Sequence, residues 1–411
     1  MLGRDPSAYN CRGRRPLGRA RALTRERQNK PPPRRAFRAA VRRALRFVVR
    51  KCCQFGVAGF SVACYYLFEL RRQRSGIGLR LLSGSFEPSG LWCIFAIHQE
   101  HAVSQNLVKY LTALKCAGYN VVLVNDGVLG REPVAAFLPL CHTVVSRPKG
   151  GRDFGSYKWG TQFLRRADRI GLVNQMVYCN DSIFVRPRAF AAFLDELKQI
   201  DDDYIGVVDS RQISYHVQSW LFAVSGRIFK SAPFDDFWKQ YKPYSHRTHC
   251  IVNGEIALTR HLVRAGVVPR VLYPQRAIVD LMLTGPPDTA LERLVTLLRP
   301  IEYERLAKTI EPLASAGRLC DLKKKFLAAL GAANLVGAVN LILVGCSPFP
   351  FLKKDLVYRA QYFVSQVEQG VGHWTGDDAE ELAEILSYYR ARGTLRARYS
   401  LAALSARLGV T

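Results

Sequence analysis

Between Leu91 and Val185, short and continuously apolar runs alternate with stretches of helical periodicity, and this alternation limits the folds open to the chain more than any other feature. "LWCIFAIH", "NVVLVND", "HTVVSR" and "QMVYCNDSIFV" are apolar on both faces, as strands of a parallel sheet must be when helices cover each side. Between them, "SQNLVKYLTALKCAGY", "VAAFLPLC" and "FGSYKWGTQFLRRA" place apolar residues near a 3.6-residue period. The expected fold is therefore α/β, a Rossmann-type, mostly parallel sheet with helices on both faces. "DDDYIGVVDSRQISYHVQSWLFAVS" reads as strand, polar loop, strand, and "GEIALTRHLVRAG" as a helix. Leu-rich stretches mixed with charge then suggest a helical C-terminal region. The organisation expected is a basic arm with a short apolar segment over 1–88, a ligand-binding domain over 89–287 and a mainly helical region over 288–411.

Charge separates the arm from the rest. The chain carries a net charge of +27, and its first fifty residues hold sixteen Lys or Arg against Asp5 and Glu26. Such a segment is too polar and self-repelling to collapse. A solvated tail and contact with an anionic membrane surface are both open readings for it. Nucleic-acid binding is disfavoured, because almost no aromatic residues are interleaved for base stacking. "FGVAGFSVACYYLF" (Phe55 to Phe68) is too short to span a bilayer, and the longer uncharged run Phe326 to Leu352 contains Asn334, Asn340 and interior glycines, so no spanning helix is expected. The eleven cysteines form no CxxC pair and no fixed spacing, which indicates neither a zinc site nor a disulfide framework and fits an intracellular, cytoplasmic setting, peripheral to the inner face of a membrane if the arm rests there.

Ligands of open parallel sheets sit beyond the carboxyl ends of the strands. The residues there are His98 and Gln99, Asn125 and Asp126, Arg147 to Asp153, and Asn180 to Ser182, a polar set suited to a phosphorylated or nucleotide ligand. In "RPKGGRDFGSYKWG", Gly150 and Gly151 let backbone approach a ligand, and a helix starting near Phe154 directs free N–H groups at anions. Lys149, Arg152 and Asp153 are the binding candidates of this loop, with Tyr157 in the same stretch; Asp153 is equally readable as a helix cap. No Walker loop and no G-x-G-x-x-G fingerprint is present. Asp181 could hold a divalent metal (Mg or Mn) or cap a turn. Asp201 to Asp203 follow "FLDELKQI" and read as a solvated turn, whereas Asp209, after "YIGVV", is expected nearer a pocket. His216 and Gln218 share one strand face, and Glu255 opens an amphipathic helix as either a dipole-favoured acid or a proton acceptor.

Taken in order, "IFAIHQEHAVSQNLVKYLTALKCAGYNVVLVND", "RPKGGRDFGSYKWG", "YCNDSIFVRP", "DSRQISYHVQSWLFAVS", "FDDFWKQY", "GEIALTRHLVRAG" and "SPFPFLKKDLV" resemble the rhamnan synthesis protein F family of glycosyltransferases of bacterial cell-wall, capsular and lipopolysaccharide glycans. The motifs run from about Leu91 to about Tyr358. The resemblance implies a GT-A-like nucleotide-sugar-binding domain and transfer of a hexosyl or deoxyhexosyl unit, rhamnosyl among them, from a nucleoside diphosphate sugar to a glycan or lipid-linked acceptor. It also implies that Glu255 is the base, that Arg152, Asp153 and Asp181 hold the donor, and that Asp126 lies near its base or ribose; Asp209 joins Glu255 in the expected catalytic set from its place after "YIGVV". "NDS" stands where a full D-x-D would be expected, which leaves metal dependence open. The rival readings are a non-catalytic basic membrane scaffold and a sugar-phosphate transferase.

Overall fold

In a computed structural model of the chain, the residues described are 80–282 and 340–394, apart from 85, 87–88, 101–102, 148–149, 168, 212, 342, 345–348, 358–361 and 373, together with 321. They all fall within the unit Ala58–Thr411; the unit Met1–Val57 lies outside them. Residues 1–79 of the expected basic arm, with the apolar segment Phe55 to Phe68, and most of the run Phe326 to Leu352 are therefore outside the described residues, whereas Arg80–Ser83 of that arm pairs with Thr143–Ser146 as a strand of the main sheet. Among those described, no helix is long and apolar enough to cross a membrane.

The strands in chain order are β1 (Arg80–Ser83), β2 (Leu91–Ile97), β3 (Asn120–Asp126), β4 (Thr143–Arg147), β5 (Gln175–Asn180), β6 (Ile183–Val185), β7 (Tyr204–Gly206), β8 (Asp209–Ser210), β9 (His216–Val217), β10 (Leu221–Ser225), β11 (Arg270–Val271) and β12 (Phe351–Lys353). Eight of them form one sheet in the order β1-β4-β3-β2-β5-β10-β7-β11. β4, β3, β2 and β5 are mutually parallel, and β10 runs antiparallel to both β5 and β7. The mostly parallel α/β sheet read from the alternating pattern is thus the observed one. Its parallel strands all present their carboxyl ends, Ile97, Asp126, Arg147 and Asn180, along one edge.

The apolar runs are continuous because each strand faces two cores. Cys93, Phe95 and Ile97 pack with Leu107, Tyr110, Leu111 and Leu114 of the helix Gln105–Cys116 on one face. Trp92, Ile94 and Ala96 pack with Phe154, Tyr157 and Leu164 of the helix Arg152–Arg166 on the other. Period-2 alternation of side chains along β2 produces this division. The second helix approaches closely: a Cβ on Gly160 would sit 2.7 Å from the Ile94 side chain.

"QMVYCNDSIFV" does not form one strand. The Asn180 side chain accepts hydrogen bonds from the backbone N–H (3.0 Å) and the hydroxyl (2.6 Å) of Ser182, a local turn that ends β5 at the site edge. The chain leaves the main sheet there, and β6 pairs antiparallel with β12 instead. Asn106, buried at the start of its helix, bonds Val185 on β6 and the Glu381 carboxylate (2.8 Å), while Lys109 pairs with Glu381 at 2.6 Å. These bonds and the packing of Leu341, Phe349 and Phe351 into the first core bring the described residues between 340 and 394 against the sheet. The C-terminal stretch therefore contributes a strand as well as the helices expected of it.

Gly226 fixes the antiparallel β10 against β5. Its N–H donates to the Asn174 carbonyl at 2.6 Å, and a Cβ there would lie 2.1 Å from the Val173 carbonyl oxygen. Backbone cannot yield as a side chain can. Gly226→Ala is expected to cost about 1–3 kcal/mol, read as a lower denaturation midpoint with an unchanged slope.

Candidate active site

The loop between β4 and the helix Arg152–Arg166 is organised by a buried guanidinium. Arg147, 7% exposed, pairs with the Asp126 carboxylate at 3.2 Å and donates to the Gly150 carbonyl (2.5 Å), the Arg152 carbonyl (3.1 Å) and the Ser156 hydroxyl. The same Asp126 oxygen accepts the Gly150 N–H at 2.6 Å. To wrap around this pair the chain takes positive φ at Gly151 (83°) and at Arg152 (52°), the latter a conformation that L side chains adopt at a cost of about 1–2 kcal/mol. Gly155 is required as well, since a Cβ would meet the Arg147 guanidinium at 2.8 Å. The consequence is a helix start that places Asp153 over the strand ends.

There the polar termini interlock. Asn180 donates to the Asp153 carboxylate at 2.8 Å, and Gln99 donates to the Asp181 carboxylate at 2.9 Å. Asn125 accepts the Gln99 N–H at 2.9 Å, and His98 Nδ1 donates to the Asp126 carbonyl at 2.8 Å. Burial pushes the Asp153 carboxyl up to about 6; Arg152 and Lys353 oppose the rise, while the charges of Asp181 and Glu255 add to it.

The facing wall comes from a π-helical turn, Cys250–Ile256, which runs into the helix Ala257–Arg264. The helix read from "GEIALTRHLVRAG" thus starts earlier than its sequence pattern shows, because one widened turn interrupts the 3.6 period. Such turns concentrate at functional sites. Here the turn presents Glu255, which accepts from the Ser219 hydroxyl at 2.5 Å and lies 3.5 Å from His216 Nε2. His216 Nδ1 donates to the Ser214 carbonyl at 2.8 Å, so its other nitrogen is the one turned to the carboxylate. Burial alone would raise the Glu255 pKa, but His216, Ser219 and Lys353 outweigh it and hold the carboxyl below its usual value. Burial likewise works against a charged His216, and its contact with Glu255 overrides that and raises its pKa. Tyr157, fully buried beneath, donates its hydroxyl to the Ser219 carbonyl at 2.9 Å.

Between the two walls lies a cleft of about 140 Å³. Of the residues singled out in the sequence, it brings together Arg152, Asp153, Asn180, His216, Gln218 and Glu255 along its lining. Tyr157 supports the floor, Asp126 holds the loop, and Asp181 sits beside Asp153 with its carboxylate on Gln99. His98 and Asp209 do not line the cleft; the buried Asp209 carboxylate accepts the Gln275 N–H at 2.7 Å instead. Lys149 lies outside the described residues. The acids after "FLDELKQI" turn elsewhere, Asp202 pairing with Arg270 and Asp203 with Arg227. The lining also contains Ser219, Arg247, Lys353 and Asp355, which the sequence reading left out. Lys353 and Asp355 fall within the quoted "SPFPFLKKDLV", but nothing local announces that β12 reaches the cleft.

As a metal site, the donor set is sparse. Among the described residues no group of three or more His, Cys, Asp or Glu is placed to hold an ion. Asp181 offers one carboxylate, which suits a hard cation that completes its shell from diphosphate oxygens and water.

Comparison with known proteins agrees with the motif order. Residues 121–287 match the model of the rhamnan synthesis protein F family, the family that the motifs resemble. A protein of Sinorhizobium fredii, y4gN, is 23% identical over 240 residues, covering 56% of this chain and 62% of its own length. The virulence protein VirA of Vibrio anguillarum is 30% identical over 160 residues, covering 38% of this chain and 50% of its own. The chain thus spans 50% to 62% of the length of these relatives. Among solved structures, a glycosyltransferase involved in glycosylating the major capsid of PBCV-1 aligns over 39% of this chain and 74% of its own at 10% identity and a TM-score of 0.24. The mannosyltransferase PcManGT of Pyrobaculum calidifontis, solved with GDP-Man and Mn2+, aligns over 88% and 96% at 11% identity and a TM-score of 0.27.

The raised Asp153 pKa makes stability depend on pH. An unfolded Asp titrates near 3.9, so between about pH 4 and 6 the folded chain binds the extra proton and stability falls as pH rises. Asp153→Asn removes this dependence. Relative to wild type, the variant is expected to gain about 2–3 kcal/mol on going from pH 4 to pH 7.5, measured by urea unfolding at both values. An offset independent of pH would show that Asp153 is not held protonated by burial.

Proposed function

We propose that the chain is a glycosyltransferase with a GT-A-like catalytic domain over 89–287, moving a hexosyl or deoxyhexosyl unit from a nucleoside diphosphate sugar to a glycan or lipid-linked acceptor. The observation that carries this reading is the pairing of two unlike walls across one cleft. One wall offers a glycine loop and helix start with Arg152, joined across the cleft by Arg247 and Lys353, cationic groups suited to a diphosphate. The other offers Glu255, ionised through the neutral range and oriented by Ser219 and His216. The match to the rhamnan synthesis protein F family supports the same chemistry.

In this mechanism Arg152, Arg247 and Lys353 offset charge on the departing nucleoside diphosphate, and Asp153 with Asn180 orients the donor. Glu255 accepts the proton of the attacking acceptor hydroxyl, and His216 stabilises the carboxylate before transfer. A divalent ion held by Asp181 would add Lewis-acid stabilisation of the diphosphate. The basic segment that precedes β1 rests on the anionic cytoplasmic face of a membrane, near a lipid-linked acceptor.

The test is a panel of nucleotide sugars, with and without Mn2+, assayed for binding and donor turnover. Glu255→Gln is expected to lower transfer about 10²–10⁴-fold with donor affinity kept, as for loss of a general base. Asp181→Ala is expected to weaken donor binding chiefly when Mn2+ is present. Turnover unchanged in Glu255→Gln would remove that residue from the mechanism, and a folded wild type that binds no donor would remove the reading altogether.

A further inference from the structure

The helical segment that turns Glu255 into the cleft has a second face, and behind it a concavity of about 400 Å³ opens against the segment Phe237–Lys242. Its lining contains Lys242, Arg260 and Arg264 and no carboxylate. All three cationic residues are exposed, and among the described residues none of their charged side-chain groups has a hydrogen-bond or ion-pair partner. Asp235, on the adjoining helix, is already taken by Arg165 and Lys239. Arg260 and Arg264 stand one turn apart on the same helix, where like charges repel unless an anion lies between them.

The rim is also held in place. His249 Nε2 donates to the Lys242 carbonyl at 2.8 Å, and its Nδ1 accepts from the Asn253 amide at 3.0 Å, which fixes the Lys242 backbone beside the helix. His261 donates to the Pro233 carbonyl at 2.8 Å, tying the other end of the wall. The nearly buried rings of Phe237 and Tyr241 form the floor. A rigid concave surface with two guanidinium forks and an ammonium group is matched to an anion with several oxygens and more than one charge.

We propose that this groove binds a phosphate or diphosphate group of a ligand, at a site separate from the cleft and about one helix diameter, roughly 10–12 Å, behind it. A carboxylate, with two oxygens and a single charge, would leave one of the three cationic groups unmatched. The inference stands on the groove alone and does not require the transferase reading.

The probe is pyrophosphate, titrated into the full chain while hydrogen exchange is followed over residues 257–264. The charge-reduced variant is Arg260→Gln/Arg264→Gln; both side chains are exposed, and unchanged thermal unfolding would show that the fold is kept. Wild type is expected to gain protection over 257–264, and the double variant to lose that protection and bind about tenfold or more weakly. Equal affinity and equal protection in the two proteins would overturn the proposal. Flotation with phosphatidylcholine vesicles containing phosphatidylglycerol separates the sources of the phosphate. Recovery that falls in the variant together with pyrophosphate affinity assigns the groove to lipid headgroups, and unaltered recovery beside lost pyrophosphate affinity assigns it to a soluble or acceptor-borne phosphate.

Discussion

The buried pair between Arg147 and Asp126 is the contact on which the proposed site depends. Two strand ends that a parallel sheet would leave side by side become a single charged corner, and the glycine loop is folded around it. Removing one partner of such a pair leaves an uncompensated buried charge, a cost of about 3–5 kcal/mol. The pair is more than a clamp, because its spare donors fix the carbonyls of Gly150 and Arg152 and the hydroxyl of Ser156. The positive φ of Arg152 persists because these bonds over-determine it.

From that corner the second wall is reached through packing. Phe154, one residue after Asp153, lies so close to Gly254 that a Cβ there would meet its ring at 2.9 Å. The position of Glu255 is thereby tied to the helix that carries Asp153, and Tyr157 adds a hydrogen bond from the same helix to the Ser219 backbone. The two carboxylates then settle differently. Asp153 has an amide partner and nearby acids, and burial raises it; Glu255 has an imidazole and a hydroxyl, which keep it ionised. One acid that keeps its proton up to about pH 6 and one that loses it below the usual carboxylate range, across a small cleft, is an arrangement in which the two can take separate roles.

Much of this was legible in the sequence. The runs from Trp92 to Ile97 and from Val121 to Val124 read as strands buried on both sides, and the rule that ligands sit past the carboxyl ends selected Asp153 and Asn180. What escaped depends on distance along the chain. Lys353 reaches the cleft because β12 pairs with β6, a contact between residues far apart in sequence that no local pattern announces. Asp209 ends an apolar run as a site residue would, yet its carboxylate is drawn to the Gln275 N–H, a partner more than sixty positions away. The break at Asp181 was hidden for the opposite reason: "CNDSIFV" keeps strand-like composition on both sides of a turn made by one asparagine side chain.

The proposed function requires a nucleoside diphosphate sugar to bind between the glycine loop and the Glu255 turn. Amide hydrogen exchange of the full chain, with and without such donors, tests it most directly. Protection is expected to concentrate at 150–156, 180–182 and 250–255, because those segments border the cleft on its two walls and at the strand end between them. Donor binding that protects other segments and leaves these three unchanged would contradict it.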